Sequence, residues 1–333
     1  MKKVINDPEQ YVAEALEGLI CAHPGVYAQS GKAGRVIVRR TPKPVGKVGV
    51  ASGGGFGHLP LFAGYVSEGF LDACAVGDVF AGPSMDSVGE ALRAADRGAG
   101  VLAVIGNYGG DKMAFAMAAD LLEAAAIPVE TVIVADDVAS APPHEAGKRR
   151  GVAGVVLAFK VAGAAAEAGW PLARVAAAAR KVVERCRSIG VAVSSCIIPT
   201  RGQPTFELDH ETIEMGMGIH GEQGVWRGAL PSADALADEM LDRLTADQAL
   251  PAGTRVAVLC NSLGATPIEE LYILFRRVAQ RLRGMDVTIQ QAHVGHYATS
   301  MEMAGASLSI LALDDELCGL MEAPSACPFW RAP

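Results

Sequence analysis

The sequence predicts an α/β protein of two domains, each a largely parallel or mixed sheet flanked by helices. Three observations lead there. Short apolar runs that read as buried strands alternate with longer helical stretches along the chain, the pattern of α/β folds rather than of sandwiches or bundles. The length of 333 residues corresponds to roughly two domains at about 100–200 residues each. Half of the residues are hydrophobic, 38 are glycine and only 5% are aromatic, which implies an aliphatic core and the tight turns that join strand to helix.

Taken in order, residues 7–22 read as a helix, with Asp7 as N-cap before Pro8. Val12, Ala15, Leu16 and Leu19 share one of its faces. A loop rich in Gly, Arg and Pro is expected to residue 46. Lys47–Ala51 then reads as a short buried strand running into Gly53-Gly54-Gly55-Phe56-Gly57-His58. A strand at Val101–Ile105 ends in Asn107-Tyr108-Gly109-Gly110-Asp111, followed by a helix over 112–126. A strand at Val129–Val134 ends in Asp136-Asp137, and helices cover much of 151–190. The second half reads as strands at Val191–Pro199, Ile213–Ile219, Arg255–Asn261, 286–294 and 307–313, with helices near 232–245 and 267–283. A boundary is expected near residue 190, giving domains of residues 1–190 and 191–333.

Composition excludes several classes of function. The net charge is −8, and there is no clustered basic surface of the kind nucleic-acid binding needs. The seven cysteines are odd in number and contain no CxxC, so they read as buried free thiols of a reducing compartment. The N-terminus has no apolar signal region, and no run reaches the roughly 20 apolar residues of a membrane span. A soluble, cytoplasmic protein that does not bind membranes is expected.

Four segments have the residue types that chemistry needs. The glycine-dense turn at 53–58 exposes backbone N–H groups and reads either as a cradle for phosphate or polyol or as a tight structural turn. It is not a P-loop, because no Gly-Lys-Ser/Thr follows. Asp111 stands at the C-terminal end of a predicted parallel strand, where α/β sheets bind ligands. It reads equally as a helix N-cap and as a general base. His220, in Gly216-Met217-Gly218-Ile219-His220-Gly221-Glu222, has glycines around it that leave the ring open, against the plainer reading of an ordinary surface or core histidine. At Asn261–Leu271, Thr266 as N-cap, Pro267 at N1 and Glu269 at N3 spell a capping box. His293 and His296 could ligate a metal, but no third ligand is evident. His23, His144 and His210 carry no distinguishing context.

Together, Ser52-Gly-Gly-Gly-Phe-Gly-His58, Ala75-Val-Gly-Asp-Val-Phe80, Asn107-Tyr-Gly-Gly-Asp111, Gly147-Lys-Arg-Arg-Gly151, Gly216-Met-Gly-Ile-His-Gly-Glu222 and Asn261-Ser-Leu-Gly-Ala-Thr-Pro267 resemble, in order and over nearly the whole chain, the substrate-binding subunit of the dihydroxyacetone kinase family. The resemblance implies two α/β domains in a homodimer and a phosphotransferase role in carbohydrate metabolism. It implies that His220 bonds a small ketose covalently as a hemiaminal, that Asp111 and His58 assist as catalytic residues, and that Gly54, Gly55, Gly57, Gly106 and Gly110 contact the substrate. It further implies no cofactor on this chain. ADP or ATP with Mg²⁺ is expected on a separate all-helical nucleotide-binding subunit, since the sequence ends at Pro333 without such a domain. A second implication is a non-catalytic relative that senses a carbonyl sugar and regulates a transcription factor.

The chain departs from the family at Phe56, Leu59, Gly106 and Gly109, where serine, glutamate, lysine and threonine are usual. The expectation drawn from this is a pocket wider beside Asp111 and more apolar beside His58, with preference for a tetrulose such as erythrulose over dihydroxyacetone.

Overall fold

The structure, a computed structural model, describes residues 2–209 and 211–330; His210 lies outside them. A 3₁₀ turn at Pro8–Gln10 is capped by the Asp7 carboxylate, which accepts from Glu9 N–H. It leads into α1 (Tyr11–Ala22), whose Val12, Leu16 and Leu19 are buried as their spacing requires. The stretch expected to be loop holds two four-residue strands, β1 (Tyr27–Ser30) and β2 (Val36–Arg39), paired antiparallel. With β3 (Gly49–Gly54), β4 (Ala73–Val76), β5 (Val101–Gly106) and β6 (Val129–Val134) they form a six-stranded sheet in the order β1-β2-β4-β3-β5-β6. The strands β4, β3, β5 and β6 are parallel, so their C-terminal ends open along one edge. Two helices, α2 (Met85–Ala95) and α3 (Gly109–Glu123), cover one face.

Between the sheets, α4 (Gly154–Glu167) is buried along nearly its whole length and packs against strands of both. Next comes α5 (Leu172–Arg185), which runs without a loop into β7 (Cys186–Ala192). The second sheet adds β8 (Thr212–Met215), β9 (Trp226–Ala229), β10 (Arg255–Ser262), β11 (Thr288–Gly295) and β12 (Gly305–Leu313), in the order β11-β10-β12-β7-β8-β9. Only β10 and β11 are parallel; every other pair is antiparallel. This sheet is therefore mixed rather than largely parallel. It is covered by α6 (Ala233–Asp247) and α7 (Ile268–Gly284). Finally α8 (Asp315–Glu322) and the segment after it return to the core beneath the first sheet, where Leu317, Met321 and Trp330 belong to the same apolar cluster as Val50 and Leu102.

Three expectations are corrected. The strand placed at 191–199 starts at Cys186 and stops at Ala192, and the one placed at 213–219 stops at Met215, because Gly216 turns the chain with a φ of 80°. The capping box before α7 does not form. Pro267 is the cap position, and Thr266 Oγ1 instead donates to Gly305 O and accepts from Gly305 N, tying the helix start to β12. The cysteines are free, with only Cys21 exposed. No helix among the described residues is long and apolar enough to cross a membrane.

Candidate active site

The C-terminal ends of β4, β3 and β5 deliver three neighbouring loops to one edge of the first sheet, where ligands bind in α/β folds. The loop after β8 in the second sheet closes over them. Between them is a cavity of about 220 Å³ lined by Gly55, Phe62, Phe80, Ala81, Gly82, Tyr108, Gly110, Asp111, Ile219 and His220. That is below the roughly 300–1,000 Å³ of pockets for drug-sized ligands, so the site admits a small molecule.

His220 lies at the mouth with 24% of its side chain exposed. Its Nδ1 lies 2.9 Å from Glu222 Oε1, and Glu222 Oε2 accepts the His220 backbone N–H at 2.9 Å. A carboxylate only accepts, so Nδ1 carries a proton, and in the neutral ring Nε2 is the nitrogen with the lone pair. Burial alone would raise the Glu222 carboxyl, but the hydrogen bonds it accepts from the ring and backbone of His220 help to outweigh it, and it is pulled down to about 2. The i, i+2 contact is possible because Gly221, with a φ of 84°, reverses the chain between the two residues. The loop is anchored by Arg150, which donates to Gly216 O and pairs with Asp137, and by Ser300 Oγ, which donates to Ile219 O.

His58 is fully buried. Its Nδ1 donates to Thr299 O at 2.8 Å, which leaves Nε2 as an acceptor, and Nε2 has no partner. Burial and the neighbouring His220 hold the ring neutral, with its value lowered to about 3. It stacks on Phe80 at 4.9 Å and meets the His220 ring edge-on at 4.7 Å. The segment 299–301 thus grips both histidines: Thr299 holds His58, and Ser300 holds the His220 loop. Asn261 fixes that segment, accepting from Tyr297 N and Ala298 N and donating to Ala298 O.

Asp111 is not a helix cap. The helix begins at Gly109, Tyr108 occupies the cap position, and Asp111 is the third helical residue. It is only 7% exposed, and its Oδ1 has no partner. Burial raises its carboxyl to about 6, against the pull of His220. A buried carboxylate without hydrogen bonds is costly and is a mark of function. It is tolerated here because Gly82 leaves room: a Cβ on Gly82 would sit 2.3 Å from Oδ1. Gly82→Ala is therefore expected to push the Asp111 side chain aside. Turnover should fall by about 10- to 100-fold, since ångström-scale misplacement costs that much, with little change in melting temperature. Wild-type kcat in the variant would show that the Asp111 position is not critical.

The five glycines expected at the substrate divide. Gly55 and Gly110 line the cavity. Gly54, Gly57 and Gly106 do not, because aromatic rings cover them. A Cβ would meet the Phe62 ring at 2.2 Å on Gly54, the Phe80 ring at 2.5 Å on Gly57 and the Tyr108 ring at 3.1 Å on Gly106. Their smallness seats the rings that wall the site. The widening expected at Gly106 does not occur, because Tyr108 fills the space over it, whereas the space beside Gly109 is open. Phe56 packs on Tyr11, and with Leu59 it lines a separate surface hollow beside residues 3–5 rather than the His220 cavity. His293 and His296 lie elsewhere, His293 stacked on Trp330. Among the described residues no group of three or more His, Cys, Asp or Glu is placed to hold a metal.

Sequence reasoning gave no role to Glu222, Tyr108, Phe80 or Gly82. A carboxylate two residues after a histidine, across a glycine, was the available signal for the first. Phe80 and Gly82 follow β4, which had not been recognised as a strand.

A small cavity that brings two histidines and a buried carboxylate together at a sheet edge defines an α/β protein with a small-molecule site. Residues 17–329 match the Dak1 domain, and the chain belongs to that family. It is 46% identical over 316 residues to the dihydroxyacetone-binding subunit DhaK of PTS-dependent dihydroxyacetone kinase 1 of Listeria innocua, covering 95% of each chain. It is 40% identical over 337 residues to the L-erythrulose kinase of Pectobacterium atrosepticum, covering 99% of this chain but 56% of that one. The crystal structure of the dihydroxyacetone kinase from C. freundii in complex with AMP-PNP and Mg²⁺ superposes with a TM-score of 0.91 at 32% identity, over 100% of this chain and 61% of that one.

Proposed function

We propose that this chain is the ketose-binding subunit of a dihydroxyacetone-type kinase, holding dihydroxyacetone or a tetrulose such as erythrulose on His220 while another subunit delivers the phosphoryl group. The observation that carries the reading is His220 itself. Its Nδ1 proton is held by Glu222 and its lone-pair nitrogen is left for a carbonyl, at a small cavity that also contains the unpartnered Asp111 oxygen. A neutral imidazole is a competent nucleophile toward a carbonyl. The Nε2–carbon bond forms as the C=O π pair moves to oxygen; the Nδ1 proton leaves through Glu222 to solvent, and a solvent proton completes the hemiaminal hydroxyl. Tethering orients a free hydroxyl toward Asp111, which takes its proton as the oxygen attacks phosphorus. His58, with a bare Nε2, fits an acceptor for a sugar hydroxyl rather than an acid.

Within the same reading, ATP or ADP and Mg²⁺ belong to a separate helical nucleotide-binding subunit, and the chain acts in the cytoplasm as a homodimer. The purified chain with ATP and dihydroxyacetone is expected to give no phosphorylated sugar, and a nucleotide-binding subunit of this family is expected to restore turnover. Phosphorylation by the isolated chain would overturn the two-chain reading.

A further inference from the structure

Resting on that reading, we propose that Tyr108 is a catalytic residue, its hydroxyl donating a hydrogen bond to the ketose carbonyl oxygen as His220 attacks.

The reaction needs a donor. As Nε2 bonds to carbon, negative charge gathers on the carbonyl oxygen, and pre-placed donors at such an oxygen carry much of the catalysis in acyl and carbonyl chemistry. The polar side chains around the cavity are poor in donors. His58 spends its one N–H on Thr299 O. His220 spends its N–H on Glu222. Asp111 as carboxylate only accepts. Tyr108 lines the cavity with its ring edge-on to His220 at 4.7 Å, and its hydroxyl is buried without a hydrogen-bond partner.

Leaving a buried hydroxyl without a partner is costly, so its position calls for a ligand atom. Burial, then the nearby Glu222 charge, raise the phenol well above its ordinary value, so it keeps its proton. Tyr108 donates only a hydrogen bond, and the bond and proton balance of the addition is unchanged. One edge of the ring lies against Gly106, where a Cβ would come within 3.1 Å of Cδ2 and Cε2. The absence of a side chain at Gly106 is what seats the phenol here.

The test is the rate at which the wild-type chain and Tyr108→Phe form the adduct with dihydroxyacetone, followed by native mass spectrometry with His220→Ala as blank. Tyr108→Phe keeps the ring and removes an unpaired group, so its melting temperature should hold or rise. Adduct formation should slow by about 100-fold, the scale of losing one such donor. Wild-type adduct with an equally fast Tyr108→Phe overturns this inference alone. Failure of the wild-type chain to form a His220 adduct overturns the ketose-binding reading and this inference with it.

Discussion

His220→Ala is expected to abolish covalent capture of the ketose and to lower turnover of the reconstituted kinase by at least about 1,000-fold. The size follows from what the tether does. A triose has few groups to grip, and the cavity wall is mostly Phe62, Phe80, Ala81, Ile219 and glycine. Without the covalent bond the sugar is neither retained nor oriented, whereas well-oriented intramolecular reactions reach effective molarities of roughly 10⁵–10⁸ M. The fold should not suffer. The ring is part exposed, and Glu222, with 34% of its side chain exposed, can be hydrated when the ring is gone, so stability should stay within about 1 kcal/mol of the parent. Native mass spectrometry, kcat/KM and thermal melting of the same preparation separate these effects. An adduct of unchanged occupancy in the variant would place the nucleophile elsewhere.

Asp111→Asn separates capture from transfer. The adduct should form as in the parent, while kcat of the reconstituted enzyme falls by about 100-fold or more, the scale of general-base loss. The pH profile makes the assignment sharper. The folded carboxyl ionises near pH 6, against 3.8 ordinarily, so parental turnover should fall as pH is lowered through about 6, and the variant should lose that limb. The same shift fixes the sign for stability. Folding disfavours the charged form, so Asp111 costs stability at pH values above its folded value and little below its unfolded one. Asp111→Asn should therefore melt higher than the parent at pH 7 and no higher at pH 4. Near-parental kcat with an unchanged pH profile would remove Asp111 from the chemistry.

Much of this was legible in the sequence, for identifiable reasons. Strands such as Val101–Gly106 and Arg255–Ser262 are continuous apolar runs bounded by turn residues, and α1 and α7 carry clear amphipathic spacing. What escaped was set by tertiary contacts. The strands β1 and β2 are four residues each, β1 only partly apolar, and they persist because β2 pairs with β1 on one side and with β4 on the other. The start of β7 was hidden because α5 passes into it without a loop. The antiparallel order of the second sheet joins β10, β12 and β7, which are distant in sequence, so no local pattern reports it. At the site, the residue types of His220, Asp111 and His58 were readable. That Asp111 is a buried orphan rather than a cap was not, because it depends on where α3 begins and on Gly82 from the loop after β4. Phe56 misled for a similar reason: it neighbours His58 in sequence, yet its ring turns to the opposite side, onto Tyr11.

The central claim is a carbon–nitrogen bond between the ketose and one nitrogen of one histidine. It is tested most directly by NMR of the chain labelled with ¹⁵N at histidine and mixed with dihydroxyacetone labelled with ¹³C at the carbonyl carbon. The account predicts that the carbonyl signal is replaced by that of a tetrahedral carbon with a one-bond coupling to Nε2 of His220, absent in His220→Ala. Bound sugar that remains a free ketone or hydrate, or a borohydride-trappable imine on a lysine, would contradict it.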